Sequence, residues 1–256
     1  MPRTLRALAM TGNVRRNCDY MEPSAKDPAK IQSMFSTIAH RYDLLNRVLS
    51  LGIDRSWRKF AVGQLPKTEN AYYLDVATGT CDVALEIVNS IPGSRVQGVD
   101  FSTGMLELGK EKVMTAQLTD SIDLRFGDAT ALPFQDNTFD GSIIAFGIRN
   151  VQEYKKGISE MGRVVKSGGR VVILEFTSVQ NRIFKPLYRF YITKVLPSIG
   201  EIISGKKGAY TYLPQSMLSF PAPDELKKTM EETGLQNVRY HKLTLGAVTV
   251  HVGSVP

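Results

Sequence analysis

Cysteine is scarce: Cys18 and Cys81 are the only two in 256 residues. Two cysteines exclude a disulfide framework, and neither stands at metal-ligand spacing from other ligands. The three histidines, His40, His241 and His251, are equally scattered. No metal site is therefore expected, and a reducing compartment is. No apolar run approaches the ~18 residues of a membrane-spanning helix, and there is neither a low-complexity tract nor a fixed-period repeat. A basic stripe is missing as well. The formal net charge is +7, but Arg3, Arg6, Arg15 and Arg16 against Asp19 place +3 of it in the first 20 residues. The remaining excess is mild and implies no nucleic-acid partner.

What is present is an ordinary globular composition, 43% hydrophobic and 22% charged. The length suits one large α/β domain with an appended element. Residues 1–30 read as a flexible polar leader, with Met21 in "MEPSAKDPAK" as an alternative start. The Arg-containing, acid-poor stretch 1–20 also has the character of a mitochondrial presequence. The bland leader is favoured, which implies a cytoplasmic protein, with the mitochondrial matrix following only from a real presequence.

The rest, 31–256, reads as a single domain. Residues 31–66 form N-terminal helices, in which Phe35, Ile38, Ala39, Tyr42, Leu45 and Leu49 fall near helical spacing. Strands are expected at 71–77, 95–100, 122–128, 138–147 and 168–177, with helices from 82, after the N-cap candidate Ser102, and over 154–166. Strands alternating with helices mean βαβ units and a mainly parallel sheet. Asp224 is read as the cap of a helix stopping at Gly234. "NVRYHKLT" and "AVTVHVG" follow, with a connection so short that it permits only an antiparallel hairpin. The expected fold is α/β: a doubly wound, mainly parallel, seven-stranded sheet with one antiparallel edge strand. An insert at 178–222 carries seven of the 22 aromatics and reads as a lid over the carboxyl end of the sheet.

Ligands of open α/β sheets sit outside the carboxyl ends of the strands. Those ends read "DVATGT", Asp100, "GDATALPF", "AFGIRN" and "EFT". Gly79 permits close backbone approach, and Asp75 shapes the same turn. Cys81 and Ala84 break a complete G-x-G-x-x-G, which weakens a dinucleotide reading. Asp100 suits a carboxylate accepting from two ribose hydroxyls, a geometry shared by NAD and S-adenosylmethionine. Arg149 and Asn150 end the fourth strand. Arg149 can pair with a carboxylate such as Glu175, and Asn150 can cap the next helix; at a strand's carboxyl end both are also site candidates.

The combination of D-x-A-T-G-T, G-V-D, G-D-A and L-P-F with "DNTFD" resembles a class I S-adenosylmethionine-dependent methyltransferase. More closely, "YDLLNRVLSLGIDRSW" (42–57) and "RVVKSGGRVVILEFT" (163–177) are similar to the two signatures of the UbiE/COQ5 family of quinol C-methyltransferases. The resemblance spans residues 30–253 and implies S-adenosylmethionine as cofactor, with Thr80, Asp100, Asp128 and Ala129 as contacts. Its departures are Cys81 where Gly is common, Asp54 for His, Ser167 for Pro, Thr177 for Ser, and Ala145 where some members have Ser.

The resemblance also implies a polyprenylated quinol as substrate, demethylmenaquinol in preference to the benzoquinol precursor of ubiquinone. A ring carbon becomes nucleophilic when its neighbouring hydroxyl loses a proton, so the reduced quinol is required. Arg149, Asn150 and Tyr42 are then the catalytic candidates. A guanidinium stays protonated, so Arg149 suits holding a phenolate or orienting a water. Asn150 suits orienting a quinol oxygen, and Tyr42 closing the pocket, though Tyr42 is as well explained by packing. Lys185, Arg189 and Lys194 among the insert's aromatics suggest peripheral contact with anionic lipid at the inner face of a membrane; a packed amphipathic lid explains them equally. A homodimer is compatible with the sequence. Another small-molecule methyltransferase, an NAD(P) oxidoreductase and a non-catalytic binding module are the other readings.

Overall fold

The computed structural model describes residues 50–177, 184–195 and 219–256 continuously, with positions 32, 36, 39, 43, 44, 46–48, 179, 182, 198, 199, 216 and 217. The leader at 1–30, Tyr42 and much of the 178–222 insert lie outside the described residues.

The described positions from Gln32 to Val48 are all helical, and a turn at Ser50–Ile53 leads into α1 (Asp54–Val62). Then come β1 (Tyr72–Val76), α2 (Asp82–Ser90), β2 (Arg95–Asp100), α3 (Thr103–Thr115), β3 (Ile122–Phe126) and β4 (Phe139–Ala145). After a 3-10 turn at Ile148–Asn150 follow α4 (Tyr154–Arg163), β5 (Val165–Phe176), α5 (Phe184–Phe190), α6 (Pro223–Glu232), β6 (Gln236–Leu243) and β7 (Val248–Ser254).

The sheet runs β3-β2-β1-β4-β5-β7-β6. β1 to β5 pair in parallel, and β7 runs antiparallel to both β5 and β6. One strand opposes the others, as the short hairpin required. It lies one place in from the edge, because β6 pairs only with β7 and so points the same way as β5.

Alternation along the strands covers both faces. Tyr73, Ile143, Val172 and Leu174 meet Ala61 and Val62 of α1, Ile87 of α2 and Val113 of α3. Leu74, Val76, Ile144 and Ile173 meet Ile158 and Met161 of α4 and Leu226 and Met230 of α6. Ser102 caps α3, its Oγ accepting from Met105 N at 3.4 Å. Two expectations shift. α4 stops at Arg163 instead of 166, because the Val164 carbonyl accepts from Thr138 N and Phe139 N at the start of β4. Asp224 lies in the first turn of α6, not at its cap; Ala222 holds that position, with its N–H donating to Glu225 at 3.0 Å.

Candidate active site

Strand order reverses between β1 and β4, and a cavity of about 310 Å³ opens at the carboxyl ends there. The turn leaving β1 is built from alternating left-handed residues: Ala77 (φ 52°), Gly79 (φ 55°) and Cys81 (φ 69°). Asp75 underpins it. One carboxylate oxygen accepts from the Thr78 hydroxyl at 2.6 Å, and complete burial pushes the pKa up to about 7 against that hydrogen bond. A Cβ built on Gly79 would meet nothing within 4 Å, so this glycine faces open space, and Gly79 lines the cavity.

Asp100 closes the next wall. Its Oδ2 accepts from Gly79 N and its Oδ1 from Ser102 N, each at 2.8 Å. The side chain thus fixes the turn and the start of α3 together. Burial raises its pKa to about 6 in spite of these donors. After β3, Asp128 Oδ1 accepts from Thr130 N and Oγ1 at 2.8 and 2.9 Å, and Asp128, Ala129 and Thr130 line the third side. Ala145, Phe146, Gly147 and Asn150 form the fourth, and Glu153 and Lys156 extend it.

The cavity therefore gathers Gly79, Asp100, Asp128, Ala129 and Asn150. It does not gather Asp75, Thr80 or Arg149. Asp75 lies beneath the turn. Arg149 is buried behind the wall, its Nη1 donating to Glu175 at 2.7 Å and to the Phe146 carbonyl at 2.5 Å. Glu175 is fully buried; desolvation raises its pKa and the Arg149 charge opposes the rise. The pairing with Glu175 open in the sequence is what the structure has, whereas Asn150 sits in a 3-10 turn and the N-cap position of α4 is held by Glu153. Arg149 props an unusual backbone: Phe146 holds φ 56°, a left-handed value that a bulky residue adopts only under constraint. Its ring is held too, 4.6 Å from Phe176 and 6.1 Å from Trp57 between centroids.

Thr80 serves a polar network that sequence reading missed. Its hydroxyl donates to Asp43 at 2.6 Å and accepts from Lys112 at 3.1 Å. Lys112 reaches Asp43 at 2.5 Å and Asp82 at 2.8 Å; Arg58 reaches Asp82 at 3.0 Å and Asp54 at 2.6 Å. Burial disfavours the Lys112 charge, but the two carboxylates outweigh it and raise its pKa. The i,i+4 spacing of Asp54 and Arg58 was the available signal; Lys112 had none. Asp54, a departure from the family signature, is thus engaged here. Nearby, Gln32 donates to the Phe101 carbonyl at 2.6 Å and Ser36 meets Ser102 at 3.1 Å. The N-terminal helical region lies over the β2–α3 junction beside the cavity.

A recess with an open glycine face, the carboxylates of Asp100, Asp128 and Glu153 and the amides of Asn150 and Gln152 suits a ligand with hydroxyls, a base and a reactive end. Residues 24–255 match the family described as the ubiE/COQ5 methyltransferase family. The "Ubiquinone/menaquinone biosynthesis C-methyltransferase UbiE" of Geotalea daltonii is 53% identical, covering 88% of this chain and 95% of that protein. The "Demethylmenaquinone methyltransferase" of Deinococcus radiodurans is 46% identical, covering 87% and 91%. Among solved structures, a SAM-dependent methyltransferase from Aquifex aeolicus superposes with a TM-score of 0.56 at 18% identity, covering 90% of this chain and 99% of that one. At that identity the likeness is one of fold.

Proposed function

The chain belongs to the ubiE/COQ5 methyltransferase family, and on that premise we propose that it C-methylates a polyprenylated quinol with S-adenosylmethionine, converting demethylmenaquinol to menaquinol. The observation that carries this reading is the cavity at the β1/β4 switch, with Gly79 open to it and Asp100 and Asn150 in its lining. S-adenosylmethionine fits this donor set and, when bound, supplies an electrophilic methyl carbon. Asp100 would hold the ribose hydroxyls, with Asp128 and Ala129 at the base and the Gly79 turn against the amino-acid portion. Asp75 and Thr80 act through that turn, one from beneath and one from the Lys112 network.

The chain's remaining work is orientation and charge control. The acceptor is a ring carbon ortho to a phenolic oxygen, and one proton leaves for each methyl gained. Asn150, half-buried in the cavity wall, can donate to the quinol oxygen or orient the water that takes its proton. Arg149 acts as a positioning residue: tied to Glu175 and the Phe146 carbonyl, it fixes the turn that carries Asn150. Tyr42, which lies outside the described residues, keeps the proposed role of closing the substrate pocket.

The names of relatives favour a second acceptor, the benzoquinol of ubiquinone synthesis, since several carry both pathways in one name. Mass spectrometry of products from reduced naphthoquinol and benzoquinol substrates, offered side by side, tests both. Methyl gain on the naphthoquinol is expected; methyl gain on neither overturns the reading.

Such substrates are lipids, and no helix among the described residues is long and apolar enough to cross a membrane. On α5, Leu187 and Phe190 are 64% and 59% exposed, beside exposed Lys185 and Arg189. With Lys194 these suit peripheral contact with anionic lipid. Co-sedimentation with anionic liposomes should be lost when all three cations are removed; no binding by the wild type would sink this part.

A further inference from the structure

We propose that the turn Ser50–Ile53 and the 3-10 turn Thr244–Gly246 form a docking face for an anionic lipid bilayer, into whose acyl boundary Leu51, Ile53 and Leu245 insert. The inference rests on the reading of the substrate as a lipid quinol and goes beyond it, because these turns belong neither to the cofactor cavity nor to α5.

Both turns carry leucine where leucine is costly. Leu51 holds φ 53° and Leu245 φ 55°, left-handed values that strain a bulky side chain and suit asparagine or glycine. Packing does not offset the strain: Leu51 is 83% exposed and Leu245 67%, and Ile53, two residues after Leu51, is 41% exposed. A single exposed leucine is ordinary. Two strained ones at adjoining turns point to a function.

The turns adjoin through Trp57. The Ile53 carbonyl accepts from Trp57 N at 3.2 Å, and Trp57 Nε1 donates to the Thr244 hydroxyl at 2.8 Å. Three residues on, the Phe60 ring meets His241 of β6 at 5.3 Å between centroids. The turns also stand at the cavity's end of the sheet. Leu243 and Phe176 each pair with Val248, so the Thr244–Gly246 turn projects beyond the carboxyl end of β5. Trp57 packs on Phe176 and on Phe146, each at 6.1 Å between centroids, and Phe146 lines the cavity. A series of apolar side chains thus runs from the turns to the cavity wall.

The charge around the turns has one sign. Between Ser50 and Pro66 the sequence sets Arg55, Arg58 and Lys59 against Asp54 alone, and from Gln236 to Thr249 it has Arg239 and Lys242 with no acid. Asp54 is buried and tied to Arg58 at 2.6 Å, so these segments present no free carboxylate. Arg55, Lys59 and Lys242 are exposed. A Cβ on Gly246 would lie 4.0 Å from Lys242 Cδ, which sets that cation against the Leu245 turn. Apolar side chains among cations match the interface of an anionic bilayer. A second copy on a two-fold axis would instead bring like charges together.

The test uses the full chain with vesicles of phosphatidylglycerol and phosphatidylcholine, and with phosphatidylcholine alone. Wild type should co-sediment with the anionic vesicles. Leu51→Asn/Leu245→Asn should bind them more weakly, on the order of tenfold for each leucine withdrawn from the acyl phase. It should melt at the same temperature or higher, because asparagine accepts the left-handed backbone. Arg55→Gln/Lys242→Gln, altered only at exposed positions, should weaken binding to the anionic vesicles alone. Trp57 is the only tryptophan in the chain, so quenching of its fluorescence by lipids brominated on their acyl chains reports this face. Quenching is expected in the wild type and should be lost in the leucine variant. Wild type that binds no vesicle, or binds with Trp57 unquenched, would overturn the proposal. So would wild-type binding by both double variants, or a wild-type dimer that the leucine variant splits into monomers. Docking with quenching by a protein that methylates no quinol would overturn the functional reading and leave this surface standing.

Discussion

At the scale of single residues, the pair Arg149–Glu175 shows how a strand can end on a guanidinium. Glu175 is wholly enclosed, so removing its partner leaves an uncompensated buried charge. Arg149→Met should cost about 3–5 kcal/mol of stability, and adding Glu175→Gln should restore most of it; thermal denaturation of both variants checks this. Activity lost in Arg149→Met alone is then expected to be regained in part by the double variant. Asp100 gives a pH dependence. Its folded pKa, about 6, exceeds the reference value of 3.8. Stability that its protonated form lends the cofactor-free protein is therefore complete below about pH 4 and lost as pH rises through about 6. Cofactor binding runs the other way, because ribose hydroxyls need an ionised acceptor. Affinity should fall as pH drops below about 6, by up to about tenfold per unit. Calorimetry from pH 5 upward should show this in the wild type and not in Asp100→Asn. Asp100 and Gly79 were legible because the strand pattern placed them at carboxyl ends. Whether Arg149 faced the cavity or a carboxylate was not, since Glu175 lies 26 residues away and only the β4–β5 pairing brings them together.

At the scale of elements, backbone strain is matched by space left elsewhere. Cys81 occupies a left-handed position at the start of α2, and its sulfur fills the gap left by Gly109 on α3: a Cβ there would lie 2.4 Å from Sγ. Gly109→Ala should lose about 1–3 kcal/mol to overpacking, less the helix-propensity gain. With Cys81→Gly present, the same substitution should cost less, because the clash is gone. Urea denaturation of the four proteins should give a favourable coupling of about 1 kcal/mol or more. Sequence periodicity located both helices, and it placed glycine-like behaviour at 81 only through the departure from the family pattern. The compensating residue on another helix carried no local signal. The end of α4 was likewise hidden, since the carbonyl that stops it is claimed by residues 138 and 139 at the start of another strand.

At the scale of the whole molecule, alternating strand and helix patterns announced the sheet, while its ionic tie to the N-terminal region required the fold. Lys112 joins that region to α2 and α3 through Asp43, Asp82 and Thr80. Lys112→Met should leave two carboxylates facing each other and release the helical region around Asp43. Hydrogen exchange of the amides between 43 and 50 should quicken, and raised salt should narrow the gap between variant and wild type. The placement of β7 has a different consequence. It is the last of the seven strands in sequence, yet it occupies an interior slot, paired with β5 on one side and β6 on the other. During synthesis β5 must wait with one edge bare, exposing the backbone of Val171–Phe176, until the residues from Val248 onward emerge from the ribosome. β6, made earlier, has no place in the sheet before then. Closure of the sheet is therefore a late event for the nascent chain, and a premature stop just before Val248 would release a protein whose central apolar strand is an open template for its neighbours.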